Sequence, residues 1–226
     1  MKRESLILLI LFVLTTILAL VMGVTERTTW LEAIGFVTGA LCVWLVVREN
    51  VWNFPLGLVN VAAFSVVFVR AELYADAWLQ VVYFVLGVLG WYWWLYGGEQ
   101  ATALQVRRAS LFELLTTIAA GIAATFVLWS LLAKYGGSAS FWDALTTSFS
   151  LCAQWLINRK RLESWWVWIV VDIIYVPLYI YKELYLTAVL YAVFLVMAVL
   201  GLLRWRSVLR DHDAALPVAL EPRGIA

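Results

Sequence analysis

An all-α integral membrane fold is predicted: two parallel three-helix-bundle repeats joined by a linker helix, with one extra transmembrane helix ahead of them. Three observations predict it. The 226 residues are 65% hydrophobic and 14% charged, with a mean hydropathy of +0.91, whereas soluble domains carry about 25% charged residues. The apolar residues fall into eight stretches, most of them near the length of about 20 residues that a helix needs to cross the hydrocarbon core. The chain also matches itself without gaps at one fixed offset, the one that lays Trp44 on Trp155, the mark of an internal repeat.

The first apolar stretch runs from Leu6 to Met22 behind Lys2 and Arg3. A signal peptide begins alike, but its apolar region is about 7–15 residues long and a small-x-small cleavage site follows it. A retained helix over 1–25 is therefore expected. The remaining spans are read at 30–47, 54–69, 76–96, 111–133, 142–157, 165–181 and 185–203. They divide the chain into a first repeat over 30–97, a loop and linker helix over 98–140, a second repeat over 141–206 and a polar tail over 207–226. The tail is expected to be a disordered end in which His212 is solvated.

Loop charges orient the spans, because cytoplasmic loops carry the Lys and Arg. Eight spans put twelve basic residues on one side, Arg107, Arg108, Arg159, Lys160 and Arg161 among them, against Arg27, Arg70, Lys134 and Lys182 on the other. Both termini are expected in the cytoplasm.

In the repeat, Trp44-Leu45 falls on Trp155-Leu156, Glu72-Leu73-Tyr74 on Glu183-Leu184-Tyr185, Gly90 on Gly201 and Trp94 on Trp205, with Glu32-Ala33 on Asp143-Ala144. Three spans plus one linker span is an even number, so both copies enter the membrane in the same direction. Their axis lies along the membrane normal, the SWEET-like arrangement, which puts a substrate near the midplane between the bundles. The linker span, with few polar residues beyond Thr116, Thr117 and Thr125, reads as a strap.

The stretch 161–185 carries the densest chemistry. Trp165, Trp168, Asp172, Tyr175 and Tyr179 recur at helical spacing on one face, and Val, Ile and Leu fill the other. A carboxylate within a membrane span is expensive. It serves either an interhelical hydrogen bond or a ligand that is flat, polar at its edge and cationic. Thr147, Ser150, Gln154 and Asn158 share a face on the preceding span, as do Asn53, Gly57, Asn60 and Phe64 on another, and Asp76, Gln80 and Tyr83 on a fourth. Amides with indole and phenol faces suit a heteroaromatic ring bearing an amide or sugar hydroxyls. The alternative for Asn60, Gln80 and Gln154 is interhelical glue, worth about 0.6 kcal/mol in membrane proteins. Asp76, near the end of its span, suits a cap as well as binding. Trp94 and Tyr179 read as interfacial anchors, Gly57, Gly87 and Gly90 as close-packing positions, and Pro55 and Pro177 as a helix start and a kink.

Other function classes find no support. Cys42 and Cys152 lie in separate apolar runs and His212 is the one histidine, so no metal, haem or iron–sulfur site is expected and no cofactor is assigned. There is neither a GxSxG with a histidine partner nor an HExxH, and Gly97-Gly98 and Gly136-Gly137 lack the Lys and Ser/Thr of a phosphate-binding loop. An enzyme is not expected. The net charge of +1 supplies no argument for a nucleic-acid partner, and none is assigned.

At these residues the chain resembles the Pnu family of bacterial vitamin transporters, in particular the PnuC-type nicotinamide riboside transporters. The resemblance rests on Trp52-Asn53-Phe54-Pro55-Leu56-Gly57, Leu73-Tyr74-Ala75-Asp76 with Leu79-Gln80, Gly90-Trp91-Tyr92-x-Trp94 and Ala153-Gln154. It rests most on Arg159-Lys160-x-x-Glu163-x-Trp165-Trp166-x-Trp168-x-x-x-Asp172, then Leu178-Tyr179 and Leu184-Tyr185-Leu186-Thr187-Ala188. Leu89 departs from the aromatic residue expected there. The resemblance covers about 30–205 and implies a three-plus-one-plus-three core in the bacterial inner membrane. It further implies facilitated diffusion of nicotinamide riboside by alternating access, trapped when a cytoplasmic nucleoside kinase phosphorylates it. By the same resemblance Trp165 and Trp168 hold the nicotinamide and Asn60, Gln80, Gln154, Asn158 and Asp172 meet carboxamide and ribose; Phe64, Tyr83 and Tyr175, which share the helix faces read above, complete the expected site. Two alternatives stay open: a carrier of another vitamin such as thiamine, and a substrate-binding membrane subunit of a larger complex. A homo-oligomer is compatible with all three.

Overall fold

The computed structural model describes Val13, Ile17 and residues 30–70, 74–135, 140–181, 183 and 185–219. The expected helix over 1–25 thus lies outside the described residues, those two excepted. Seven α-helices follow: α1 (Trp30–Val47), α2 (Asn53–Arg70), α3 (Tyr74–Tyr96), α4 (Leu111–Leu132), α5 (Ser140–Asn158), α6 (Ser164–Tyr181) and α7 (Tyr185–Ala219). Four of them contain segments long and apolar enough to cross a bilayer, Ala77–Tyr96, Leu111–Leu132, Ser164–Tyr181 and Thr187–His212, while α1 and α2 contain the shorter apolar segments Val37–Val47 and Asn53–Val66. In α5 the polar face from Thr146 to Asn158 dilutes the apolar residues. The outward faces of α3 and α4 leave Trp78, Phe112, Phe126 and Val127 more than half exposed, an apolar surface of the kind that lipid covers.

The tail differs from expectation. Helix α7 runs on through Asp211 and His212 to Ala219, so most of the polar segment read as disordered is helical. No glycine or proline interrupts the chain between Gly201 and Pro217, and Val208 and Leu209 pack against the core around Trp205, which holds the extra turns in register.

Six helices close a ring, with neighbours α1–α2, α2–α3, α3–α5, α5–α6, α6–α7 and α7–α1, and α4 lies outside it against α5. Helix α4 starts at a serine N-cap, where the Ser110 hydroxyl accepts from the Glu113 amide at 3.1 Å. Its Thr116, Thr117 and Thr125 hydroxyls donate to carbonyls of their own helix at 2.7–2.8 Å, while the Glu113 carboxylate accepts from Arg161 Nε in the turn after α5. The ring is drawn together at one end. There the Trp94 indole donates to the Ile157 carbonyl at 3.1 Å, and the segment after α3 pairs with the turn after α5 through Arg107 N to Lys160 O at 3.1 Å and Leu162 N to Arg107 O at 3.0 Å.

Four aromatic rings fill the middle of that end. Phe54 meets Trp94 edge-on at 5.1 Å and Trp165 meets Trp205 edge-on at 5.3 Å, and the two pairs touch through Trp94 and Trp205 at 6.2 Å. Edge-to-face geometry sets the positive ring edge against the negative ring face. The turns beside them are built alike. Glu49 and Lys160 take left-handed backbone angles, φ 55° and 48°, and each stands one residue before an amide that bonds five residues back: Asn50 N to Leu45 O at 2.8 Å and Arg161 N to Leu156 O at 2.9 Å. This left-handed closure ends α1 and α5 and starts α2 and α6 at matching points.

Gly201 lies against this cluster, because a Cβ there would come within 2.6 Å of the Trp165 ring. Gly201→Ala is expected to cost about 1–3 kcal/mol by overpacking, read as a lowered thermal unfolding temperature of the purified protein.

Candidate functional site

A cavity of about 280 Å³ lies within the helix ring, and all six ring helices line it while α4 does not. Helix α6 supplies Trp165, Trp168 and Asp172, α5 supplies Gln154, and α2 supplies Phe54, Gly57 and Val61. Tyr83 comes from α3, Cys42 and Val43 from α1, and Tyr191 and Phe194 from α7. The spacing of Trp165, Trp168 and Asp172 explains their convergence, since residues three, four and seven apart stand over one another on a helix.

The geometry assigns different work to each wall. Trp165 is 1% exposed and packed on Trp205, so its ring is fixed, and its buried indole N–H has no hydrogen-bond partner among the described residues. An acceptor in the cavity would satisfy it. Asp172 is 2% exposed, and no hydrogen bond or ion pair joins it to another described residue. Among the described lining residues no Lys, Arg or His stands opposite it. A carboxylate so placed is costly in low dielectric until a counter-charge arrives. Gln154 is half-buried and donates from Nε2 to Asn158 Oδ1 at 3.0 Å, which leaves its carbonyl oxygen as the free acceptor.

Five of the ten expected site residues, Tyr83, Gln154, Trp165, Trp168 and Asp172, meet at this cavity. The other five stand elsewhere. Asn158 is fully buried and donates to the Leu86 carbonyl of α3 at 2.7 Å, so it ties α5 to α3 and orients Gln154. Asn60 donates to the Gly35 carbonyl of α1 at 3.2 Å and to Thr38 Oγ1, the interhelical bond that was its alternative reading. Phe64 packs on Gly35 in the same α1–α2 seam. Gln80 is half-buried on α3 outside the lining. Tyr175 lies behind the wall, its ring 4.5 Å from that of Tyr191 and 5.3 Å from that of Tyr179. Trp94, expected as an interfacial anchor, is 3% exposed in the core.

Phe54, Val61, Tyr191 and Phe194 were not singled out from sequence. The repeat offset carries the missing signal: Phe54 corresponds to Trp165, Gly57 to Trp168, Val61 to Asp172, Val43 to Gln154, Tyr83 to Phe194 and Gly87 to Ala198, and every one of these residues lines the cavity. On α2 and α1 the lining is small or apolar where α6 and α5 present Trp, Asp and Gln.

The family model described as "Nicotinamide mononucleotide transporter" matches residues 29–207. The chain belongs to this family. It is similar to the nicotinamide riboside transporter PnuC of Escherichia coli strain K12, 28% identical over 212 residues that cover 82% of this chain and 89% of that protein. It is also similar to the riboflavin/roseoflavin transporter RibM of Streptomyces davaonensis, 27% identical over 203 residues and covering 85% and 91%. The solved structure described as "Crystal structure of the Vitamin B3 transporter PnuC" matches with a TM-score of 0.72 and 25% identity, covering 94% of each chain. As a member of this family the chain is a multi-pass membrane transporter and not an enzyme.

The roles of Asn158 and Gly57 separate in stability measurements. Asn158→Ala leaves the Gln154 amide without its partner and is expected to cost about 1–3 kcal/mol. Gly57→Ala is expected to hold or slightly raise the thermal unfolding temperature, since its Cβ would meet nothing nearer than Cys42 Sγ at 3.8 Å and a helix-interior glycine is about 0.5–1 kcal/mol less favourable than alanine.

Proposed function

We propose that this protein imports nicotinamide riboside across the bacterial inner membrane by facilitated diffusion. The observation that carries this reading is the cavity in which Trp165, Trp168, Gln154 and Asp172 meet with no basic residue among them. An indole face suits the pyridinium ring, and the Trp165 N–H and the Gln154 carbonyl suit the two ends of a carboxamide. The same electrostatics favour the riboside over the mononucleotide in the family description, because a phosphate would bring negative charge towards Asp172 with no cation to receive it. A cavity of about 280 Å³ stands just below the ~300–1,000 Å³ of small-molecule sites and suits a nucleoside better than a tricyclic flavin.

Transport by alternating access is supported by the ring itself. Helices α1–α3 and α5–α7 form two units of three helices joined by α4, and their corresponding pairs α1–α7 and α5–α3 make the contacts between units. Matching turns at Glu49 and Lys160 and matching aromatic pairs, Phe54–Trp94 and Trp165–Trp205, favour two copies related by a two-fold axis that rock about the cavity. The Arg-rich turns at 107–108 and 159–161 then face the cytoplasm, where a kinase would trap the product. Asn158 serves by orienting Gln154, and Tyr175 by backing Tyr191; Asn60, Phe64 and Gln80 reach a ligand only in another arrangement of the units.

The test is calorimetric titration of the purified protein with nicotinamide riboside, thiamine and riboflavin, followed by uptake into vesicles holding this chain alone. The riboside is expected to bind and to equilibrate without ATP, with net accumulation only when kinase and ATP are enclosed. Trp168→Ala is expected to weaken binding by about 1–3 kcal/mol, the range seen for rings stacked on aromatic side chains. Binding of thiamine or riboflavin alone would replace the substrate; binding without uptake would favour an accessory subunit.

A further inference from the structure

Helix spacing sets Asp172 one turn beyond Trp168, about 6 Å along the axis of α6, with both side chains on the cavity. The matching positions in the first repeat are Gly57 and Val61, which also line it and offer neither a hydrogen bond nor a charge. An aspartate that tied helices together would have a donor on a neighbouring helix, and none reaches Asp172 among the described residues. Its partner is therefore to be sought in the ligand.

We propose that Asp172 sets the charge specificity of the cavity, pairing with a cationic heteroaromatic ring that lies against Trp168 and over the space left by Gly57. Resting on the riboside reading, this deepens it: the recognised feature is the positive pyridinium, and neutral analogues of the same shape are discriminated against. Removing one partner of a desolvated charge pair weakens binding strongly, while a neutral ligand loses nothing electrostatic.

The test compares nicotinamide riboside with its neutral 1,4-dihydro form, which has nearly the same shape, on the wild-type chain and on Asp172→Asn and Asp172→Glu. Wild type is expected to prefer the cation by at least about tenfold. Asp172→Asn is expected to lose that preference, weakening the cation about tenfold or more and changing the dihydro form by less than about twofold; Asp172→Glu retains part of it. Equal affinity of wild type for the two forms, or equal weakening of both by Asp172→Asn, overturns the proposal. The wild-type comparison decides even if a variant does not fold. Failure of wild type to bind the riboside in either form overturns the substrate reading instead. Thiamine then takes its place as the cationic probe: binding lost in Asp172→Asn keeps the charge assignment, and binding unaffected by it, or absent, overturns that as well.

At the drawn-in end of the ring, Lys160 Nζ lies 3.2 Å from Glu49 Oε2, with side chains 9% and 23% exposed, and 4.5 Å from the centre of the Trp94 ring. Both residues hold the left-handed position that glycine fills most easily. They occupy equivalent places in the two units and carry opposite charge. We infer that Glu49–Lys160 is a latch between the units that must part before the cavity opens at this end. Breaking a buried pair from one side leaves a charge uncompensated, whereas reversing both restores it.

Cys42 lines the cavity and reports on this. In a Cys152→Ser background in inverted vesicles, Glu49→Gln and Lys160→Met are each expected to raise the rate at which an impermeant thiol reagent labels Cys42 several-fold. Glu49→Lys combined with Lys160→Glu is expected to return it to the wild-type rate. Wild-type rates in both single variants, or a reversed pair as fast as the singles, overturns the latch.

Discussion

The edge-on contact of Trp165 with Trp205 is the interaction on which the rest depends. It is reached because Gly201 leaves no side chain in the way, and it joins α6 to α7. Trp165 is thereby a core residue on one side and a cavity wall on the other. The Phe54–Trp94 pair repeats the arrangement in the first half, and contact between Trp94 and Trp205 ties the halves together. Apolar burial gives little drive between helices in lipid, so close packing of this kind, with hydrogen bonds such as Trp94 to Ile157, holds them.

The constraint that every polar group must find a partner inside a bilayer sorts the remaining residues. Asn60 and Asn158 find theirs on the backbone of a neighbouring helix and act as fasteners, while the α4 threonines find theirs on their own helix. The Trp165 indole N–H does not, Asp172 has no described partner, and both face the cavity. Among the described residues these two groups stand at the cavity wall, whereas the Ser148 hydroxyl and the Trp205 indole N–H, also without partners, lie away from it.

Much was legible in the sequence because a membrane simplifies the code. Long apolar runs become helices, and a single gap-free offset pairs residues that line one cavity. The stripe Trp165, Trp168, Asp172 could be read from helical spacing alone, since three residues on one face stay together whatever the helix packs against. The polar tail was misread because composition said solvent while Val208 and Leu209 said packing, and packing kept α7 helical.

What the sequence by itself determined was therefore the helices, the family and the stripe of α6. Only the tertiary structure decided which polar residues meet the cavity. Asn60 and Gln154 are both amides in apolar helices, and nothing local separates them: one turns to a carbonyl of the neighbouring helix and the other to the cavity. That choice depends on how each helix is rotated against its neighbours, and rotation is set by contacts between residues far apart in the chain, such as Trp94 with Ile157 and Glu49 with Lys160.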